Sequence, residues 1–166
     1  MTTPIDLATI LGLLALMGVA ARSDTFHRLI PNRFALAALF LYPAHVLASP
    51  IAIDWPTSLV LALIALGGGF MLFTLGWFGG GDVKLGAVAV LWAGPSLLTP
   101  LIMVVALTGG LLSIAAFAQS YRERRVMSGG GIAAARLVLR NASVPYGVAI
   151  AAGAAVVAVG LATPLI

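Results

Sequence analysis

The residues able to do chemistry are few, and most are carboxylates. The chain has no cysteine, and its five acids are Asp6, Asp24, Asp54, Asp82 and Glu123. Without cysteine there is no disulfide, no thiolate metal site and no thiol nucleophile. Asp82 stands in Phe78-Gly79-Gly80-Gly81-Asp82-Val83-Lys84-Leu85, with three glycines before it and an apolar run after it. Such glycines let the backbone bend and be approached closely. An acid at the start of a helix also meets the favourable end of the helix dipole. Asp24 follows an apolar run directly and precedes Ile30-Pro31-Asn32, so it is expected at a helix C-terminus. Two carboxylates in contact share one proton, and such a pair can activate a water and protonate a leaving amine. By their own helix ends, Asp82 is expected to carry the charge and Asp24 the shared proton.

Asp24 and Asp82 are distant in sequence, so the fold must bring them together, and composition says in what solvent. Of 166 residues, 61% are hydrophobic and only 8% charged, and the mean hydropathy is +1.12. Soluble domains carry roughly 25% charged residues. This excludes a cytosolic enzyme, a disordered chain and a free nucleic-acid-binding module, despite the basic isoelectric point. The expected fold class is all-α, a polytopic membrane helix bundle of about six transmembrane helices forming one domain over 1–166, with lipid as its main partner. Apolar runs lie at 5–23, 34–50, 57–78, 83–94, 97–119 and 144–163. The fourth is short and runs into Ala93-Gly94-Pro95. Alternating ten-residue strands of an outer-membrane barrel are absent from the sequence.

The basic residues orient the bundle. Arg22, Arg28 and Arg33 lie between the first two runs, Lys84 beside the fourth, and Arg122, Arg124, Arg125, Arg136 and Arg140 between the fifth and sixth. These are all the basic residues in the chain, and they fall in alternate loops. The bias of Lys and Arg towards cytoplasmic loops places these loops inside and both termini outside. Asp24 and Asp82 then share the inner boundary of the membrane. Asp6 and Asp54 are expected at the outer surface as solvated carboxylates, and Glu123 as one charge within an arginine cluster. Trp55, Trp77 and Trp92 are expected at interfaces, as an aromatic belt. His45 faces the outer side and draws no functional reading. The first run lacks a basic region before it, so it is expected to be a retained span and not a cleaved signal peptide. Arg136 and Arg140 suggest a short interfacial helix facing anionic lipid. No nucleic-acid partner is expected.

Three motifs resemble those of the type IV prepilin leader peptidases. Asp24-Thr25-Phe26-His27-Arg28-Leu29-Ile30-Pro31-Asn32 resembles the first aspartate motif, and Gly79-Gly80-Gly81-Asp82-Val83-Lys84-Leu85 the second, Gly-x-Gly-Asp-x-Lys. Val144-Pro145-Tyr146-Gly147-Val148-Ala149-Ile150 resembles the start of the family's last span. The resemblance implies an aspartic endopeptidase of the bacterial inner membrane that removes the short basic leader of prepilins at the cytoplasmic face. Asp24 and Asp82 would be its catalytic pair, with no metal and no organic cofactor. Gly79, Gly81, Lys84, Arg28 and Asn32 would support the site or bind substrate. Lys84 would hold Asp82 ionised, bind a substrate carboxylate or simply snorkel to the interface. Arg28 and Asn32 would order the turn after Asp24. The bifunctional members carry an additional region with paired cysteines, associated with N-methylation. With no cysteine and no insertion between its first two runs, this chain resembles the short, peptidase-only form of the tight-adherence (Flp-type) pilus systems, and methyltransferase activity is not expected.

Three other readings fit parts of the pattern. Presenilin-type intramembrane proteases share Gly-x-Gly-Asp but pair it with Tyr-Asp and Pro-Ala-Leu, whereas here Ser23 precedes Asp24 and Pro-Ala-Leu is missing. A proton channel or small transporter would use acids at mid-membrane, within inverted repeats. A noncatalytic pilus-assembly protein would tolerate substitution of either aspartate.

Overall fold

The computed structural model describes residues 2–128 and 146–163. Five helices follow one another, with no strand among the described residues: α1 (Pro4–His27), α2 (Asn32–Ala48), α3 (Trp55–Thr74), α4 (Gly80–Ser128) and α5 (Tyr146–Ala162). Each start has a local cause. Thr3 caps α1 by accepting the Asp6 N–H at 3.1 Å, and Asp54 caps α3 by accepting the Thr57 N–H at 3.2 Å. Prolines near the first turns of α1 and α3 give up only an N–H that would have no helical partner.

The 49 residues of α4 are not one rod. Gly94 has φ 57 and ψ −168, a backbone region open essentially to glycine alone, and Pro95 follows it. The chain reverses there, as α5 records. Leu97 packs on Gly160, Leu101 and Val105 on Gly153, and Tyr146 and Ala149 on Gly109, so the second limb runs antiparallel to α5. Ile150 reaches Gly86 of the first limb. Divided at Gly94, the described residues give six helical stretches where six apolar runs were expected. Three helices are long and apolar enough to cross a membrane (Pro4–His27, Trp55–Thr74 and Gly80–Gln119), and Tyr146–Ala162 is a shorter apolar helix. The helix ends depart from the apolar runs in several places: α1 runs on to His27, taking Asp24 into its last turn, α3 stops at Thr74, and α4 begins already at Gly80 and continues to Ser128.

The first limb of α4 is the core. Val83, Leu85, Val88, Ala89, Leu91 and Trp92 are all buried, against Leu13, Met17 and Ala20 of α1, Ala35 and Ala38 of α2 and Ala154 and Val157 of α5. In contrast, α3 buries only Ser58 and Ala62 and exposes Leu63, Ile64, Phe70 and Met71. In water that face would be a liability; in a bilayer it is solvated by acyl chains.

Two expectations about polar residues are corrected. Asp6 is not a solvated carboxylate: it is 2% exposed and its Oδ1 lies 2.6 Å from His45 Nδ1. Because α1 and α2 are antiparallel, the first turn of one meets the last turn of the other, and the Thr3 hydroxyl donates to the Ala48 carbonyl there. Trp92 is not interfacial either. It is buried in the core and donates its indole N–H to the Ala38 carbonyl at 3.1 Å, while Trp55 and Trp77 are exposed. The interfacial helix expected around Arg136 and Arg140 lies outside the described residues, as do the side-chain surroundings of Glu123.

Candidate active site

The α1 C-terminus, the α2 N-terminus, the start of α4 and the start of α5 converge at one end of the bundle. Asp24, in the last turn of α1, is 7% exposed. The Arg28 N–H donates to the Asp24 backbone carbonyl at 3.0 Å, and Arg28 (φ 54) ends the helix in the left-handed conformation. The Ser23 hydroxyl donates to the Leu29 carbonyl at 2.8 Å and closes the same turn. A four-residue link, 28–31, then delivers Ile30 and Pro31 to α2.

Ile30 is the wedge that joins the two aspartate segments. A Cβ placed on Gly81 would sit 2.8 Å from the Ile30 Cβ, and one on Gly147 would sit 3.1 Å from the Ile30 Cδ1. Only glycine at both positions lets the start of α4 and the start of α5 close on this side chain. A Cβ on Gly147 would also approach Asp24 Oδ2 to 2.9 Å. In its absence the Gly147 N–H donates to that oxygen at 2.8 Å. The first N–H groups of a helix have no partner within it, so Asp24 caps α5 across 123 positions of sequence.

Asp82 lies in the first turn of α4, next to Gly81, and so at the same corner around Ile30 that holds Asp24. Its Oδ2 faces Gly79, where a Cβ would come within 2.8 Å, and its buried Oδ1 has no hydrogen-bond partner. The carboxylate lines an otherwise apolar cavity of about 460 Å³ between α3, both limbs of α4 and α5. Phe78, at its rim, stacks on Tyr146 with ring centroids 4.9 Å apart. The Tyr146 hydroxyl lies 3.4 Å from the Ser113 hydroxyl, tying the second limb of α4 to the same corner.

The supporting residues named from sequence divide in what they do. Gly79 and Gly81 admit the Asp82 carboxylate and Ile30. Arg28 terminates α1. Lys84 does not face Asp82 as a counter-ion; it donates to the Asn32 Oδ1 at 3.0 Å and so clips the second motif to the start of α2. His27 is exposed. Gly147 and Ile30 are the contributors that sequence reasoning quoted within motifs but gave no role. Their only signal was the motif itself, since neither carries a reactive group. The expected separation of the two acids by helix end also fails. Asp24 lies at its own C-terminus but is met by the N-terminus of α5, so both carboxylates face a helix N-terminus. Among the described residues, no group of three His, Asp or Glu side chains could hold a metal ion.

Both aspartates fall within residues 11–114, the stretch matched by the model of the type IV leader peptidase family. That is more than half of the chain. The protein belongs to the type IV leader peptidase family. No curated protein and no solved structure matches it. Membership makes it a prepilin leader peptidase in general terms, and its apolar helices make it a multi-pass membrane protein. The matched stretch spans α1 to the second limb of α4 and stops before α5, so the Gly147 contact to Asp24 lies beyond what the family match covers.

Proposed function

We propose that this chain is an aspartic endopeptidase of the bacterial inner membrane that removes the basic leader from type IV prepilins of the Flp type. In this reading Asp24 and Asp82 act at the cytoplasmic face and both termini lie on the other side. One carboxylate takes a proton from a water, whose oxygen attacks the scissile carbonyl. The other gives its proton to the carbonyl oxygen, and the tetrahedral intermediate collapses as a proton passes to the leaving amine. In this reading the pair shares one proton.

The observation that carries this reading is the convergence of the two aspartate motifs around Ile30 at one end of an apolar bundle, with one carboxylate oxygen buried and unpartnered. Buried polar atoms are rarely left unpaired, and a catalytic role is one of the reasons they are. The apolar cavity beside Asp82 supports a substrate whose cleavage site adjoins a hydrophobic helix. The short 28–31 link and the lack of cysteine support the peptidase-only form, with no methyl transfer. The test is leader removal from a co-expressed prepilin, followed by gel mobility. Asp24→Asn and Asp82→Asn should each abolish processing while inserting normally. Full processing by both variants would sink the assignment.

A further inference from the structure

The opposite end of the bundle holds a second set of buried polar side chains, which the proposed reaction does not use. Asp6 in the first turn of α1 and His45 in the last turn of α2 are each 2% exposed and bonded at 2.6 Å through His45 Nδ1. The imidazole stacks on Trp92, with centroids 4.8 Å apart and planes at 19°, so the ring cannot turn freely. His45 Nε2 is buried and has no hydrogen-bond partner. His45 also lines a cavity of about 590 Å³, with Ser49, Asp54, Ser58 and Ser96 as its other polar walls.

The chemistry of this lining is one-sided. In the neutral ring a carboxylate on Nδ1 selects the tautomer in which Nδ1 carries the proton and Nε2 presents a lone pair. Asp54 adds a carboxylate at the exposed rim, its Oδ1 already accepting the Thr57 N–H. No Lys or Arg occurs in 1–21, 34–83, 85–121 or 146–166, so α3, α5 and the Gly94 turn supply no basic side chain, and the Arg22 of α1 and Arg33 of α2 lie at the far ends of their helices. The Ser58 hydroxyl is committed to the Asp54 carbonyl at 2.8 Å. What such a site lacks is a positively charged donor.

We propose that this cavity binds a primary ammonium group, held by His45 Nε2 as acceptor and by the Asp54 carboxylate. An ammonium carries three donors and a positive charge, and the cavity volume falls in the range of small-molecule sites. The group belongs either to an ethanolamine lipid headgroup at the membrane surface or to a free alkylamine. A quaternary ammonium has no N–H and leaves Nε2 unsatisfied. The site is independent of the peptidase reading, because it shares no residue with Asp24 or Asp82.

The chain contains only two histidines, so isotope-labelled histidine reports His45 directly, with His27→Asn assigning the other ring. The full chain is placed in phosphatidylcholine nanodiscs at fixed pH and titrated with ethanolamine, and in parallel in phosphatidylethanolamine nanodiscs without addition. The His45 Nε2 resonance should move in at least one arm while the His27 signals stay. Movement in the phosphatidylethanolamine discs alone identifies the lipid headgroup, and movement with free ethanolamine identifies a soluble amine. Asp54→Asn keeps an N-cap side chain and should weaken the response by at least about tenfold. An identical resonance in all conditions, as a trapped water would give, overturns the proposal. So does a shift that choline reproduces, or an undiminished response in Asp54→Asn.

Discussion

At the scale of residues, the site depends as much on atoms that are missing as on the two carboxylates. Gly147 has room for its N–H against Asp24 only because no Cβ stands there. Gly147→Ala should therefore cut the rate of leader removal by about tenfold or more, since a misplacement near 1 Å in a reacting group costs on the order of a hundredfold. Membrane insertion should be unaffected. Gly68, whose added Cβ would meet nothing within 4 Å, is the matched control, and Gly68→Ala should cleave at the wild-type rate. The Lys84–Asn32 contact predicts something milder. Lys84→Met and Asn32→Leu, alone and combined, form a double-mutant cycle on cleavage rate. Coupling of about 0.5–1 kcal/mol is expected for one exposed hydrogen bond. Additive losses would mean that the two side chains act separately. Reactive residue types made Asp24 and Asp82 legible in the sequence. Gly147 was not, because its contribution is a backbone N–H that arrives from the far end of the chain.

At the scale of elements, a continuous apolar stretch leaves open whether it crosses once or turns back. From 83 to 119 the sequence reads as two runs separated by Ala93-Gly94-Pro95, and the backbone at Gly94 is what makes the separation a reversal. Gly94→Ala should destabilise the bundle by about 1–3 kcal/mol, because alanine must adopt the glycine conformation and its Cβ would sit 2.9 Å from the Ser58 Oγ. The check is the unfolding midpoint in mild detergent, with Gly68→Ala again as the reference. An unchanged midpoint would mean that α4 tolerates another geometry at this point. Hydropathy alone located α1, α3 and the first limb of α4 to within about a turn, and missed only the polar end of the second limb, which runs on to Ser128. It misplaced Asp6 and Trp92. Charge and interfacial preference put both at a surface, and only the antiparallel meeting of α1 with α2, and the central position of the first limb of α4, takes them out of it. A residue's depth along the membrane follows from its own run; its burial depends on which helices happen to neighbour it.

At the scale of the whole molecule, the two ends of the bundle differ in charge and in chemistry. Arg22, Arg28, Arg33 and Lys84 gather at the end that holds Asp24 and Asp82, whereas among the described residues the end with Asp6, His45 and Asp54 carries no Lys or Arg side chain. The positive-inside rule turns this asymmetry into an orientation. Under the proposed function it also has a consequence, since a peptidase for a basic leader must meet its substrate on the side where that leader is retained. Because the chain has no cysteine, single thiols can test this without further changes. Thr25→Cys, on an exposed position one residue after Asp24, and Ala52→Cys, on the exposed link between α2 and α3, mark the two ends. In intact cells with a permeable outer membrane, a membrane-impermeant maleimide should label Ala52→Cys and spare Thr25→Cys until the inner membrane is opened. The reverse pattern would invert the bundle, and Asp24 and Asp82 would then face away from any leader held in the cytoplasm. Thr25→Cys should also retain cleavage, because the Thr25 side chain is exposed and its hydroxyl bonds to the Ala21 carbonyl, not to either carboxylate. Labelling and processing can thus be read on the same protein, so that the side found for Asp24 is the side of a working site.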